Sequence, residues 1–233
     1  MTARILLSSV VLAGLLALQS ALPANAWGGD DAMAPTFFVV IENGGVVTDP
    51  ESQMEAARST LGELTDLRRR RATKHSTIHI ITSANPTEIT WSGTPEQLYA
   101  QGAEVIEAIQ VRPTCSDLTL AWQEVRNNVR ISRPDDLRLI GIGPFIHAGY
   151  PCDDGDGLIT LPQAVPVEVQ LGSLAMDASF LRLLNVHADQ DEMALEHLES
   201  AGALDRVTSG ALDFDLMDNA RTRSNLGNIL GRD

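Results

Sequence analysis

The sequence predicts an α/β fold: a doubly wound, mainly parallel sheet with helices on both faces. Three observations carry the prediction. TFFVVI (Thr36 to Ile41) and LRLIGIGPF (Leu137 to Phe145) are continuous apolar runs, the pattern of strands buried on both faces of a parallel sheet. Stretches with apolar residues every three or four positions alternate with such runs, which implies strand-helix-strand crossovers. The composition is 44% hydrophobic but only 4% aromatic, which suits a sheet packed by Val, Ile, Leu and Ala.

The elements follow in order. Thr36 to Ile41 is the first strand and stops at Glu42-Asn43-Gly44-Gly45, a tight turn. Pro50 to Arg70 places Met54, Ala57, Leu61, Leu64 and Leu67 on one helical face, with Thr48 or Asp49 as N-cap and Pro50 at the first position. Ser76 to Ser83 and Glu88 to Trp91 read as strands on either side of an Asn85-Pro86 turn. Thr94 to Ile109 is a helix with a threonine cap and Pro95 at its first position. Asp117 to Val129 is another, with Leu118, Ala121, Trp122 and Val125 on one face.

Beyond Phe145 the pattern leaves alternatives open. Leu158 to Leu161 and Val165 to Leu171 read as a hairpin, or the second as a core strand; Phe180 to Val186 reads as a strand or part of a helix. Asp191 to Ala201 is a helix ending at Gly202, and the tail from Asp213 to Asp233 is expected to hold a final helix.

The first 26 residues have the form of a secretory signal: Arg4, an apolar stretch from Ile5 to Leu18, and an A-x-A site at Ala24-Asn25-Ala26. The apolar stretch is short for a membrane span, and the mature chain is expected to begin at Trp27 with no span of its own, in the periplasm or secreted. Residues 27 to 35 read as a mobile lead-in, 36 to 212 as one domain, and 213 to 233 as a C-terminal helix or tail. Loss of Arg4 leaves 16 basic against 31 acidic residues, a formal charge of −15. That balance disfavours nucleic acid and anionic membranes as partners. The one basic block, Arg68 to Arg71, is expected to complement carbonyls at a helix C-terminus.

The layout from about residue 36 to 205 resembles the von Willebrand factor A domain, a doubly wound, Rossmann-like three-layer fold used mainly to bind proteins. FFVVIENGG stands where that family has its first strand and metal-binding loop, TCSDLTLAWQEV resembles its second loop and helix, and LIGIGPF its fourth strand. The resemblance places Glu42 at the family's first acid, Gly44 and Val46 at its two serines, and Ser116 at the metal-contacting hydroxyl. Gly143 and Pro144 stand where a third acid is expected. A degenerate metal site follows, since magnesium demands near-octahedral oxygen ligation that this set does not supply.

Cys152 to Gln163, CDDGDGLITLPQ, has some spacing of a calcium loop, with Asp153, Asp154 and Asp156, but lacks carboxylates at its first and twelfth positions. An acidic turn is the favoured reading. No cofactor is expected, with calcium or magnesium on those aspartates as the alternative. Cys115 and Cys152 fall on loops at one edge of the expected sheet, and in an exported chain they are expected to form a disulfide worth about 3 to 4 kcal/mol. His79 reads as a packed strand residue, and His187 with Asp189 and Asp191 as a solvated cluster at a helix start. No G-x-S-x-G elbow, P-loop or dinucleotide fingerprint is present.

The expected function is therefore a non-catalytic, metal-independent protein-binding module in a cell-envelope assembly. Its partner would meet a loop rim comprising Glu42, Asn43, Gly44, Ser116 and Asp117. The alternative is a metal-dependent periplasmic hydrolase with Glu42, Asp153, Asp154 and Asp156 as ligands.

Overall fold

The computed structural model describes residues 34–114, 116–146, 165 and 168–231. Among these residues six strands form one sheet: β1 (Thr36–Ile41), β2 (Thr77–Thr82), β3 (Trp91–Gly93), β4 (Leu137–Ile142), β5 (Phe180–Val186) and β6 (Asp213–Asp218). Their spatial order is β3-β2-β1-β4-β5-β6, and every pairing is parallel except β2 with β3. The α/β class and the mainly parallel sheet are as the sequence predicts.

Side-chain alternation along β1 divides the core between the two faces. Phe37, Val39 and Ile41 pack beneath α1 (Pro50–Asp66) and α2 (Pro95–Ala108), with Leu61, Leu64, Leu98 and Val105. Phe38 and Val40 pack on the opposite side with Ala121, Trp122 and Val125 of α3 (Leu118–Ser132). The same face carries α4 (Leu171–Asp177), α5 (Asp191–Ser200) and α6 (Ala203–Thr208). Trp122 is fully buried against Gly141 of β4, where an added Cβ would lie 3.1 Å from the indole. A side chain there would also press on Leu183 Cδ2 at 2.9 Å, so both neighbours would have to shift.

Capping explains why the first helices begin where they do. The Asp49 carboxylate accepts from the N–H of Ser52, and Pro50 opens α1. Thr94 and Gln97 form a reciprocal capping box at α2, and Asp117 accepts from the N–H of Leu120 at α3.

Several expectations need correction. Val165 to Leu171 is not a core strand over its described residues: Leu171, Leu174 and Ala175 are buried on α4, a three-and-four spacing that belongs to a helix. The third strand is Trp91–Gly93 rather than Glu88 to Trp91, a short antiparallel edge. The stretch from Asp213, read as tail, supplies edge strand β6 before α7 (Asn219–Ser224). Its alternation of acids with Phe214, Leu216 and Met217 hides the strand, because among the described residues β6 has a partner on one side only. Helix α1 ends at Asp66 and passes into a 3-10 turn, Leu67–Arg69. Arg68 and Arg69 of the basic block fall in the last turn of that 3-10 helix, and the Arg68 guanidinium also lies 4.1 Å from the centre of the Tyr99 ring on α2. Among the described residues no helix is long and apolar enough to cross a membrane.

Candidate functional site

In a parallel sheet the loops that leave the carboxyl ends of the strands converge on one edge. Here that edge is braced from beneath by residues that follow β1. The Glu42 side chain is 3% exposed and points inward, where Oε1 accepts from the N–H of Phe145 at 2.6 Å and Oε2 from that of Ile146 at 3.4 Å. Burial pushes its pKa from 4.5 up to about 8, against the lowering effect of those two hydrogen bonds. Phe145 holds a left-handed backbone (φ 61°), and Gly143 (φ 147°) passes so close to Glu42 that an added Cβ would lie 2.5 Å from its Cβ.

Asn43 ties three loops together. Its N–H donates to Ser83 Oγ (3.1 Å), its Oδ1 accepts from the N–H of Ala84 (3.0 Å), and its Nδ2 donates to the Gln110 carbonyl (3.4 Å). Gly44 lies against the α2-α3 loop: a Cβ on it would come 2.3 Å from Ser116 Cβ and 2.9 Å from the Thr114 carbonyl. That carbonyl accepts from the N–H of Gly45, and the N–H of Asp117 donates to the Ser83 carbonyl. Of the five residues nominated from sequence, Glu42, Asn43, Gly44 and Ser116 are buried, and Asp117 is half-buried as the cap of α3. They support the rim from within; the exposed positions above them are Gly45, Thr48 and Arg112 to Thr114.

Beside this brace, over the ends of β4, β5 and β6, lies an open cleft of about 380 Å³ whose polar lining is Thr48, Asp49, Gln53, Asn185, His187, Asp218 and Asn219. Most are placed by local devices. Asp49 and Asp218 are N-caps, of α1 and α7, and their carboxylates accept from the N–H groups of Ser52 and Arg221. Gln53, 1% exposed, donates through Nε2 to the carbonyls of Glu42 (2.9 Å) and Ile142 (2.7 Å). Asn185 sits where the β5-β6 register slips by one residue and takes a left-handed φ of 59°. A bulge of this kind re-aims a side chain, and here Asn185 Nδ2 reaches the Ser52 carbonyl on α1 (3.1 Å). His187 Nδ1 accepts from the N–H of Asp189 at 3.2 Å, so its proton is assigned to Nε2. The 3.8 Å approach of Asp189 to the same nitrogen is the weaker contact.

Sequence reasoning missed this cleft. Its legible signs were the two cap aspartates, Asp49 before proline and Asp218 before a helical stretch, and a lone asparagine in the apolar run FLRLLNV.

Cys115 and Cys152, and with them the expected disulfide, lie outside the described residues, as do Asp153, Asp154, Asp156 and the leader. For the hydrolase alternative, Glu42 is placed unfavourably, since both carboxylate oxygens face backbone N–H groups of the β4 loop. His79 on β2 stacks on Phe38 at 4.6 Å between ring centres and meets Ser92 Oγ at 2.9 Å; burial lowers its pKa.

No family model matches the chain, and no curated protein matches it. Among solved structures, similarity extends to the PilB minor pilin from Streptococcus sanguinis, with a TM-score of 0.45 and 10% identity over 83% of this chain and 60% of that one. A mutant of the same pilin gives a TM-score of 0.45 and 10% identity over 85% of this chain and 61% of that one. The chain thus spans about 60% of the length of the structures it matches. The expected assignment to the von Willebrand factor A family is corrected: no family model, of that family or any other, matches the chain, and the solved structures named above are of a minor pilin. Glu42, which the resemblance placed at the family's first acid in a degenerate metal loop, accepts from the N–H groups of Phe145 and Ile146. The α/β class stands on the sheet itself.

Proposed function

We propose that this chain is a non-catalytic protein-binding module, exported by its leader with cleavage near Ala26, that meets its partner through the loop rim at the carboxyl edge of the sheet. The observation that carries this reading is the brace beneath the rim. Glu42 and Asn43 tie the loops after β1, β2, β4 and α2 into one hydrogen-bonded layer. Loops held in one arrangement lose little freedom on association, and that preorganisation favours recognition of a protein surface. A cell-envelope assembly is the setting the leader supports, and binding in this reading needs no metal.

Photo-crosslinking in the native envelope tests the proposal. A crosslinker at Thr48 or Thr114 on the rim should yield a discrete protein adduct. The same group at Ile131, 83% exposed near the far end of α3, should not. Equal adducts from both edges, or none from the rim, would sink it. Stoichiometric metal in the purified mature protein would instead favour the hydrolase.

A further inference from the structure

We infer that the cleft between α1, the end of β5 and α7 is a site for an organic cation, the guanidinium or ammonium group of an arginine or lysine side chain presented by the partner protein. The inference rests on the reading of the carboxyl edge as a protein-binding rim and names the chemistry one part of it recognises.

The first ground is a pair of orphaned acceptors. Gln53 Oε1 and Asn185 Oδ1 are buried and have no hydrogen-bond partner among the described residues. Their identity as oxygens follows from the other arm of each amide: Gln53 Nε2 faces two carbonyls and Asn185 Nδ2 faces one, so neither amide can be turned round without opposing oxygen to oxygen. A buried acceptor without a donor is costly, and both belong to residues lining the same cleft. What they lack is a donor.

The second ground is charge. Asp49 and Asp218 both line the cleft, and both are exposed. At the start of α1 the N–H of Ser52 is answered by Asp49, which accepts from it through Oδ1 and from Asn219 Nδ2 through Oδ2 at 3.3 Å. The N–H of Arg221 is answered by Asp218 in the same way. Two exposed carboxylates on the lining, with two orphaned amide oxygens buried in residues that also border it, give the cleft a negative character that suits a forked donor.

The third ground is size. About 380 Å³ accommodates the end of a long side chain but is far larger than a bare metal ion requires. Calcium takes 6 to 8 oxygens in its first shell, and among the described residues no group of three His, Cys, Asp or Glu side chains could hold a metal.

The test is an NMR titration of the isotope-labelled mature protein with N-acetyl-arginine amide, and in parallel with the neutral isostere N-acetyl-citrulline amide and with calcium chloride. The arginine probe should shift the side-chain amide signals of Gln53 and Asn185, with half-saturation on the order of 1 mM, corresponding to about −4 kcal/mol. Citrulline should bind several-fold more weakly. Asp49→Asn combined with Asp218→Asn keeps both helix caps, since asparagine caps as well as aspartate, and should weaken the arginine probe about tenfold. Equal binding of arginine and citrulline, calcium shifting these signals while arginine does not, or no response to any probe would each overturn the cation site. Because the probes are small molecules, such a failure leaves the rim proposal standing on its own crosslinking result.

Discussion

Glu42 Oε1 accepts a hydrogen bond from the backbone N–H of Phe145, a residue 103 positions further along the chain. The carboxyl group thereby fixes the loop after β4 to the end of β1, and it does so in a site that favours its neutral form.

That environment sets a pH dependence whose sign is determined. The folded-state pKa, about 8, lies above the unfolded value of 4.5. Between those values the native chain holds a proton that the unfolded chain has lost, so stability falls as pH rises through the window, by at most about 1.4 kcal/mol per unit. Glu42→Gln retains an acceptor for Phe145 and removes the titration. Urea melts at pH 5 and pH 8 should show the variant gaining on the parent at the higher pH. Identical pH dependence in the two proteins would show that Glu42 titrates normally.

Gly44→Ala should destabilise the protein by about 1 to 3 kcal/mol, because the new methyl group overlaps Ser116 Cβ and the Thr114 carbonyl. Adding Ser116→Gly removes one of the two obstacles, so thermal denaturation of the double variant should recover part of the loss. Full additivity of the two changes would mean that they do not meet.

Asn43→Ala leaves the N–H of Ala84 and the carbonyl of Gln110 without their side-chain partner. A loss of about 1 to 3 kcal/mol is expected. Hydrogen exchange should locate the damage in the loops after β2 and α2, with the β4-β5 pairing unchanged.

Arg206 of α6 gathers the end of α4. Its Nη1 donates to the carbonyls of Ala175 (2.7 Å), Met176 (2.7 Å) and Ala178 (2.6 Å), and Nη2 to that of Ala211 (3.1 Å). A lysine cannot reproduce that fork. Arg206→Lys should therefore cost about 1 to 3 kcal/mol, measured by chemical denaturation, and should raise amide exchange in α4. Wild-type stability in the lysine variant would show that charge alone suffices.

The amino-acid sequence by itself determined the α/β class, β1, β2 and β4, and the starts of α1, α2 and α3. Those features are local: Asp49-Pro50, Thr94-Pro95 with Gln97, and Asp117 each cap a helix through bonds spanning three residues. Only the tertiary structure decided that Asp213–Asp218 is an edge strand, that Leu171–Asp177 is a helix, and that Glu42 turns inward rather than onto the rim. The cleft is of the same kind. Asn185 reaches Ser52 across 133 residues, and Asn219 reaches Asp49 across 170. Such pairs leave no periodicity in the chain, because the direction of each side chain is set by the bulge and helix ends that the assembled sheet brings together.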